Sequence, residues 1–242
     1  MRVLLAGLLC STIAFGVSAQ QAPEIPRFST MKPGGTTPTD WKPFILSQSK
    51  KNTEYMLVTE DGVMVLRAIA HGAASALAYK TEFDPHQFPM LSWRWKVAQG
   101  IPDANNADTS KEDSPVRIIV AFDGDSSKLS LKDKVASSFA QGQSGQPLPY
   151  AALMYIWGNK VPLNKVTNSP RTSRIRMLSL NVDEQGIGQW HSFTRNLVDD
   201  FKMAFGEDPG KVIGIQVLTD TDNTGGDTQA FYGDISLAPA RP

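Results

Sequence analysis

The chain has 242 residues, 24 Lys+Arg against 24 Asp+Glu, and one cysteine. The zero balance excludes a broad basic field for nucleic acid, and no basic amphipathic helix for a membrane surface is evident. One cysteine cannot make an internal disulfide or a thiolate metal cluster, so the fold must rest on an apolar core, which a chain with 41% hydrophobic residues can supply.

The chain opens "MRVLLAGLLCSTIAFGVSAQQ". Arg2, the apolar run Val3 to Val17 and the small-residue site Val17-Ser18-Ala19 read as a signal peptide over 1–19, with a periplasmic or secreted destination. The run is shorter than the roughly 20 residues a membrane span needs, and no transmembrane span is expected in the mature chain. Cys10 falls inside this segment, and bulky Leu9 ahead of it argues against a lipoprotein cut. Residues 20–40, rich in Pro, Thr and Gly, predict a flexible leader. A single domain then runs over 41–238.

Period-two alternation fills most of that domain. In "PMLSWRWKV", Leu91, Trp93, Trp95 and Val97 share one face and Ser92, Arg94 and Lys96 the other. "PVRIIVAFDGD" alternates likewise, and further short runs such as "GVMVLRAIA", "YAALMYIWG", "SRIRMLSLN" and "KVIGIQVLT" end at turn residues. Two segments carry a helical period instead. "SLKDKVASSFAQG" places Leu131, Val135 and Phe139 four apart behind a Ser130–Asp133 capping pair, and "NLVDDFKMAFGEDPG" places Leu197, Phe201 and Phe205 likewise. The expected fold is mainly β: a two-sheet antiparallel β-sandwich of jelly-roll type with two short helices.

Three constellations could carry function. Arg94, Arg117 and Arg176 recur on outward strand positions. They would suit carboxylate, sulfate or phosphate on a ligand if their strands adjoin, and otherwise mark a solvated face with charge pairs. Among the tryptophans, Trp93 and Trp95 share a face with Leu91 and Val97 and belong to the core. Trp157 and Trp190, each beside a turn, are the candidate stacking platforms. The stretch "TDTDNTGGD" at 219–227 copies the start of a calcium loop at Asp220 and Asp222, but no Glu stands at the twelfth position and its flanks are strands. It is either a turn, with Gly225 and Gly226 at positive φ, or a structural calcium site. The three histidines lack zinc spacing, and no phosphate-binding glycine motif is present.

The runs "PMLSWRWKV", "EDSPVRIIVAFDGD", "PYAALMYIWGN", "RNLVDDFKMAFGEDPGKVIGI" and "LTDTDNTGGDTQAFYGDISL" resemble, in this order, the domain of unknown function 3047, a family of exported bacterial proteins. The likeness spans about Phe28 to Leu237, with Ser114 standing where the family favours an aspartate. The closing pair of strands also resembles galactose-binding-like jelly rolls. That likeness implies Asp234 in "YGDI" as a calcium ligand beside Asp220 and Asp222. The expectation is an exported ligand-binding sandwich, most plausibly for a glycan or another small anionic ligand. The alternatives are a polysaccharide hydrolase or lyase with Tyr155 and His191 as candidate bases, and a non-catalytic envelope assembly protein.

Overall fold

The computed structural model describes residues 21–33, 38, 40–169, 172–182 and 184–240. The expected signal peptide and Cys10 lie outside them. Among the described residues, no helix is long and apolar enough to cross a membrane.

Among the described residues, thirteen strands form two packed sheets. The first sheet contains β1 (Lys42–Ile45), β4 (Ala74–Phe83), β11 (Val212–Asp220), β6 (Ser114–Phe122), β7 (Ala151–Gly158), β9 (Ile175–Val182) and β8 (Val166–Asn168), in that spatial order. The second runs β10 (Trp190–Asn196), β5 (Met90–Gln99), β12 (Asp227–Tyr232), β3 (Val63–His71) and β2 (Glu54–Glu60), with β13 (Ser236–Ala238) also paired to β5. Neighbours are antiparallel, as expected, except for the parallel pair β7–β9.

The alternation decides which side chains meet between the sheets. Leu91, Trp93, Trp95 and Val97 face inward from β5, and Val116, Ile118, Val120 and Phe122 from β6, all buried. Trp93 packs on Tyr155 of β7 with ring centroids 4.8 Å apart, which joins the two layers. Burying a side chain of this size contributes on the order of 2 kcal/mol.

The helices divide by function. Helix α2 (Leu197–Phe205) starts where the Asn196 side chain accepts from the Val198 and Asp199 N–H groups and stops at Gly206, φ 73°. It buries Leu197, Val198 and Phe201, with Phe201 4.6 Å from Phe122 between ring centroids. Helix α1 (Leu131–Ser144) is capped by Ser130 and ended by Gly145 at φ 80°. The Asp133 carboxylate, near its start, accepts from the Thr172 hydroxyl at 2.6 Å and from the Ser173 N–H at 2.8 Å. Near its end, Gln143 accepts from the Ser47 hydroxyl at 2.8 Å. Thr172 and Ser173 precede β9, and Ser47 follows β1. These fastenings tie α1 to segments beside β9 and β1 of the first sheet, whose outer face buries Ala76, Ile119, Ala152 and Leu218.

One expectation needs correction. The segment expected as a flexible leader over 20–40 is in part structural: Ile25 and Phe28 are buried, and Phe28 packs on Trp41 with ring centroids 5.3 Å apart. Apolar side chains among the prolines anchored it, a feature that composition alone hides.

Candidate functional site

The three arginines singled out in the sequence point to three separate places. Arg117 is only 3% exposed. Its guanidinium meets both Asp220 carboxylate oxygens at 3.1 Å and donates to the Glu112 carbonyl at 2.8 Å. Burial pushes the Asp220 carboxyl up, Arg117 opposes, and the nearby Asp113 and Asp222 charges push it further, to about 6. A buried guanidinium already committed to a carboxylate is a structural knot, and it offers no fork to a ligand. Arg176 points inward from β9, where its Nε donates to the Ala204 carbonyl of α2 at 3.3 Å and its guanidinium lies 5.6 Å from the Phe205 ring centroid.

The "TDTDNTGGD" stretch is a turn clamped from outside. Asp113, fully buried, accepts from the Asn223 N–H at 3.1 Å, the Thr224 N–H at 2.8 Å and the Thr224 hydroxyl at 2.6 Å. Gly225 takes positive φ at 69°; Gly226 does not. Carboxylate oxygens of Asp113, Asp220 and Asp222 lie within 4.8 Å of one another, so these three could hold a metal ion. Each, however, already has protein donors: Arg117 on Asp220, Lys50 on Asp222 and the loop N–H groups on Asp113. Asp234 is not with them. It sits beyond the far end of β12 and accepts from the Ser29 N–H at 2.9 Å. The shared "D" pattern did not reveal that a whole strand separates Asp234 from Asp227.

The other aromatic and basic candidates also divide. Trp157 is fully buried, so it is no surface platform; its ring meets His191 edge-on at 5.3 Å. His191 is held by Asn181 and the Gly186 carbonyl. Tyr155 is fully buried and donates to Asp200 at 2.8 Å; burial and then the Asp200 charge raise its hydroxyl well above the ordinary value. Neither residue stands on an open sheet face as a base would need to.

Arg94 and Trp190 do meet. On the outer face of the second sheet, Trp190, Lys96, Phe231 and Arg67 are cross-strand neighbours in one row, and Arg94 lies in the next. The Arg94 guanidinium lies 4.5 Å from the Trp190 ring centroid. Its stem crosses Gly233, where a Cβ would come within 2.5 Å of Arg94 Cγ. The Trp190 Nε1–H donates to Asp61 at 2.9 Å, and Lys96 pairs with Glu60 at 2.6 Å. The Trp190 N–H, with help from Lys96, holds the Asp61 carboxyl below its ordinary value. Arg67 Nε is buried without a hydrogen-bond partner among the described residues. Sequence reasoning missed Asp61, Arg67 and Gly233. The available signal was Asp61-Gly62 between two alternating runs, the mark of a tight hairpin whose tip here reaches Trp190.

A groove of about 620 Å³ opens at one end of the sandwich, lined by Ile101, Pro102, Asn159, Lys160, Glu184 and Gln185 among others. Residues 39–236 match the family described as "Protein of unknown function (DUF3047)". The chain belongs to that family. No curated protein matches this DUF3047 chain in sequence. Several solved structures align with it at low similarity. The xyloglucanase domain of NopAA, a type three effector from Sinorhizobium fredii, solved with cellobiose, aligns over 86% of this chain and 97% of its own at 8% identity and TM-score 0.45. The K1 cleaved adhesin domain of Lys-gingipain from Porphyromonas gingivalis aligns over 89% and 97% at 9% identity and TM-score 0.40. The carbohydrate recognition domain of Emp47p aligns over 89% and 94% at 13% identity and TM-score 0.39. At this distance none of them assigns an activity to the DUF3047 chain.

Proposed function

We propose that this protein is an exported, ligand-binding β-sandwich that takes an acidic glycan on the outer face of its second sheet. One observation carries the reading. The Arg94 guanidinium lies over the half-exposed ring of Trp190, and no hydrogen bond among the described residues uses its N–H groups. A planar guanidinium held in one orientation can meet a carboxylate with two parallel N–H donors, and less conformational freedom is lost on binding. Indole edges and faces accept the C–H surface of a sugar ring, while Arg67 adds positive charge to the same row. Uronic-acid oligosaccharides combine these two features.

Four of the five tryptophans, Trp41, Trp93, Trp95 and Trp157, are buried, so a ligand that quenches fluorescence reports on Trp190 directly. Titration with uronate oligosaccharides is expected to quench that emission and raise the melting temperature. Arg94→Ala and Trp190→Ala are each expected to weaken binding at least about tenfold, the effect of losing about 1.4 kcal/mol. Gly233→Ala, which displaces the Arg94 stem, should weaken it by a smaller factor. The reading fails if no acidic sugar perturbs the emission, or if the Arg94 and Trp190 variants bind as the parent does. Export is tested by the first residue of the mature protein, expected at Gln20.

A further inference from the structure

The groove of about 620 Å³ at one end of the sandwich shares no lining residue with the sheet face that carries Arg94 and Trp190. Three loops build it: residues 100–104 after β5, residues 159–160 after β7, and residues 184–185 between β9 and β10. The loops are tied in place. The Asn159 N–H donates to Asn106 Oδ1 at 2.6 Å, and the Asn159 carbonyl accepts from the Asn106 N–H at 3.0 Å. The Gly188 N–H donates to the Val97 carbonyl at 2.7 Å, and a Cβ at Gly100 would come within 3.0 Å of Ile187 Cδ1. Walls fixed in this way leave little ordering to be done on binding. The volume falls within the roughly 300–1,000 Å³ of small-molecule sites.

The lining combines an apolar part with a few hydrogen-bonding groups. Ile101, Pro102 and Ala104 supply the apolar part. Asn159 is only 6% exposed, and its Nδ2 donates to the Asp113 carbonyl at 3.2 Å. No donor among the described residues reaches its Oδ1. The sealed side-chain atoms without a partner among those residues are on Trp41, Arg67 and Trp93, so the Asn159 oxygen is open to the groove it lines. Exposed Glu184 adds a second acceptor, and exposed Gln185 adds an amide that both donates and accepts. An acidic ligand is poorly served here. Lys160, the one basic residue among those lining the groove, is already engaged, and Glu184 repels a carboxylate. Acceptors beside an apolar wall suit a ring that donates from uncharged hydroxyls and lays its C–H surface down. We propose that the end groove is a second ligand site and takes an uncharged sugar residue. Its hydroxyls donate to Asn159 Oδ1 and Glu184, and its C–H surface rests on Ile101 and Pro102. This site uses no residue of the Arg94–Trp190 face and stands or falls without it.

The test is a saturation-transfer NMR titration of the full chain with neutral trisaccharides of the glucan, mannan and chitin types, and with a uronate trisaccharide for comparison. Transfer to at least one neutral sugar is the expected result. Glu184→Ala and Gln185→Ala should each weaken its binding by about fivefold, the effect of one lost hydrogen bond. Pro102→Trp, which fills the groove, should abolish it, while Arg94→Ala and Trp190→Ala should leave it unchanged. Pro102, Glu184 and Gln185 are exposed, so unchanged melting curves show that the groove variants remain folded. No transfer to any neutral sugar, groove variants that bind as the parent does, or a stronger uronate response that these variants abolish would overturn the proposal. Loss of the neutral-sugar signal in Trp190→Ala, with the groove variants unaffected, would assign it to the sheet face and overturn the proposal as well.

Discussion

Arg117 and Arg94 read alike in the sequence, each an arginine on the outward side of an alternating strand, yet they do opposite work. Arg117 is on β6, the middle strand of its sheet, where its buried guanidinium is taken up by Asp220, by the carbonyl and carboxylate of Glu112 and by the Met177 sulfur. Arg94 is on β5, whose outer face stays open, and its guanidinium rests on an indole instead of a carboxylate. The lesson is that strand periodicity assigns a side chain to a face but does not say whether that face is covered. Cover comes from loops and helices that period-two reasoning does not place.

The contrast can be broken most directly by truncating each arginine. Arg117→Ala leaves Asp220 buried without its partner, a change that costs about 3–5 kcal/mol, and a large fall in the urea midpoint is expected. Arg94→Ala removes a surface stack and should change stability by no more than about 0.5 kcal/mol. Equal losses in the two variants would erase the distinction between knot and platform.

Acid sharpens the comparison, because two buried aspartates titrate with opposite sign. Burial alone would raise Asp133, but hydrogen bonds from Ser130, Thr172 and Ser173 outweigh it and hold the carboxyl far below the ordinary range. Its folded value lies below its unfolded one, so its contribution is present above about pH 4 and is lost as pH falls further. Asp220, raised to about 6, has the reverse sign: the protonated carboxyl is the favoured form in the fold, and stability is subtracted as pH rises from about 4 through 6. Melting temperature against pH is expected to show both slopes. Asp133→Asn should flatten the loss below pH 4 and leave the upper slope in place.

The smallest effect concerns calcium. Arg117, Lys50 and loop N–H groups already satisfy the three clustered aspartates. Adding calcium to chelator-treated protein is therefore expected to leave the melting temperature unchanged. A clear rise, abolished by Asp222→Ala, would make the cluster a cation site.

The strands were legible because burial on one face writes itself directly into alternation: Leu91 to Val97 and Val116 to Phe122 point where the pattern put them. Both helices, the Ser130 cap of α1 and the family likeness could also be read. The clamp on the 219–227 turn could not, because Asp113 lies far from it in the chain and a single aspartate before a strand has no local signature. Nor could the fate of Trp157, since a turn beside a residue in sequence says nothing of what folds over it. Only the meeting of Arg94 with Trp190 required β10 to pair with β5, and cross-strand register is a property of the assembled sheet.

One consequence follows from the order of strands. β11 lies between β4 and β6, and β12 between β3 and β5, so each layer is stitched through its interior by chain lying beyond residue 211. Until Val212–Tyr232 has left the ribosome, β4 and β6 lack the partner that joins them, as do β3 and β5, and neither layer can settle early. The arrival of these two strands is thus the event that lets the layers close, and a nonsense codon before Val212 would leave two half-built layers with raw edges.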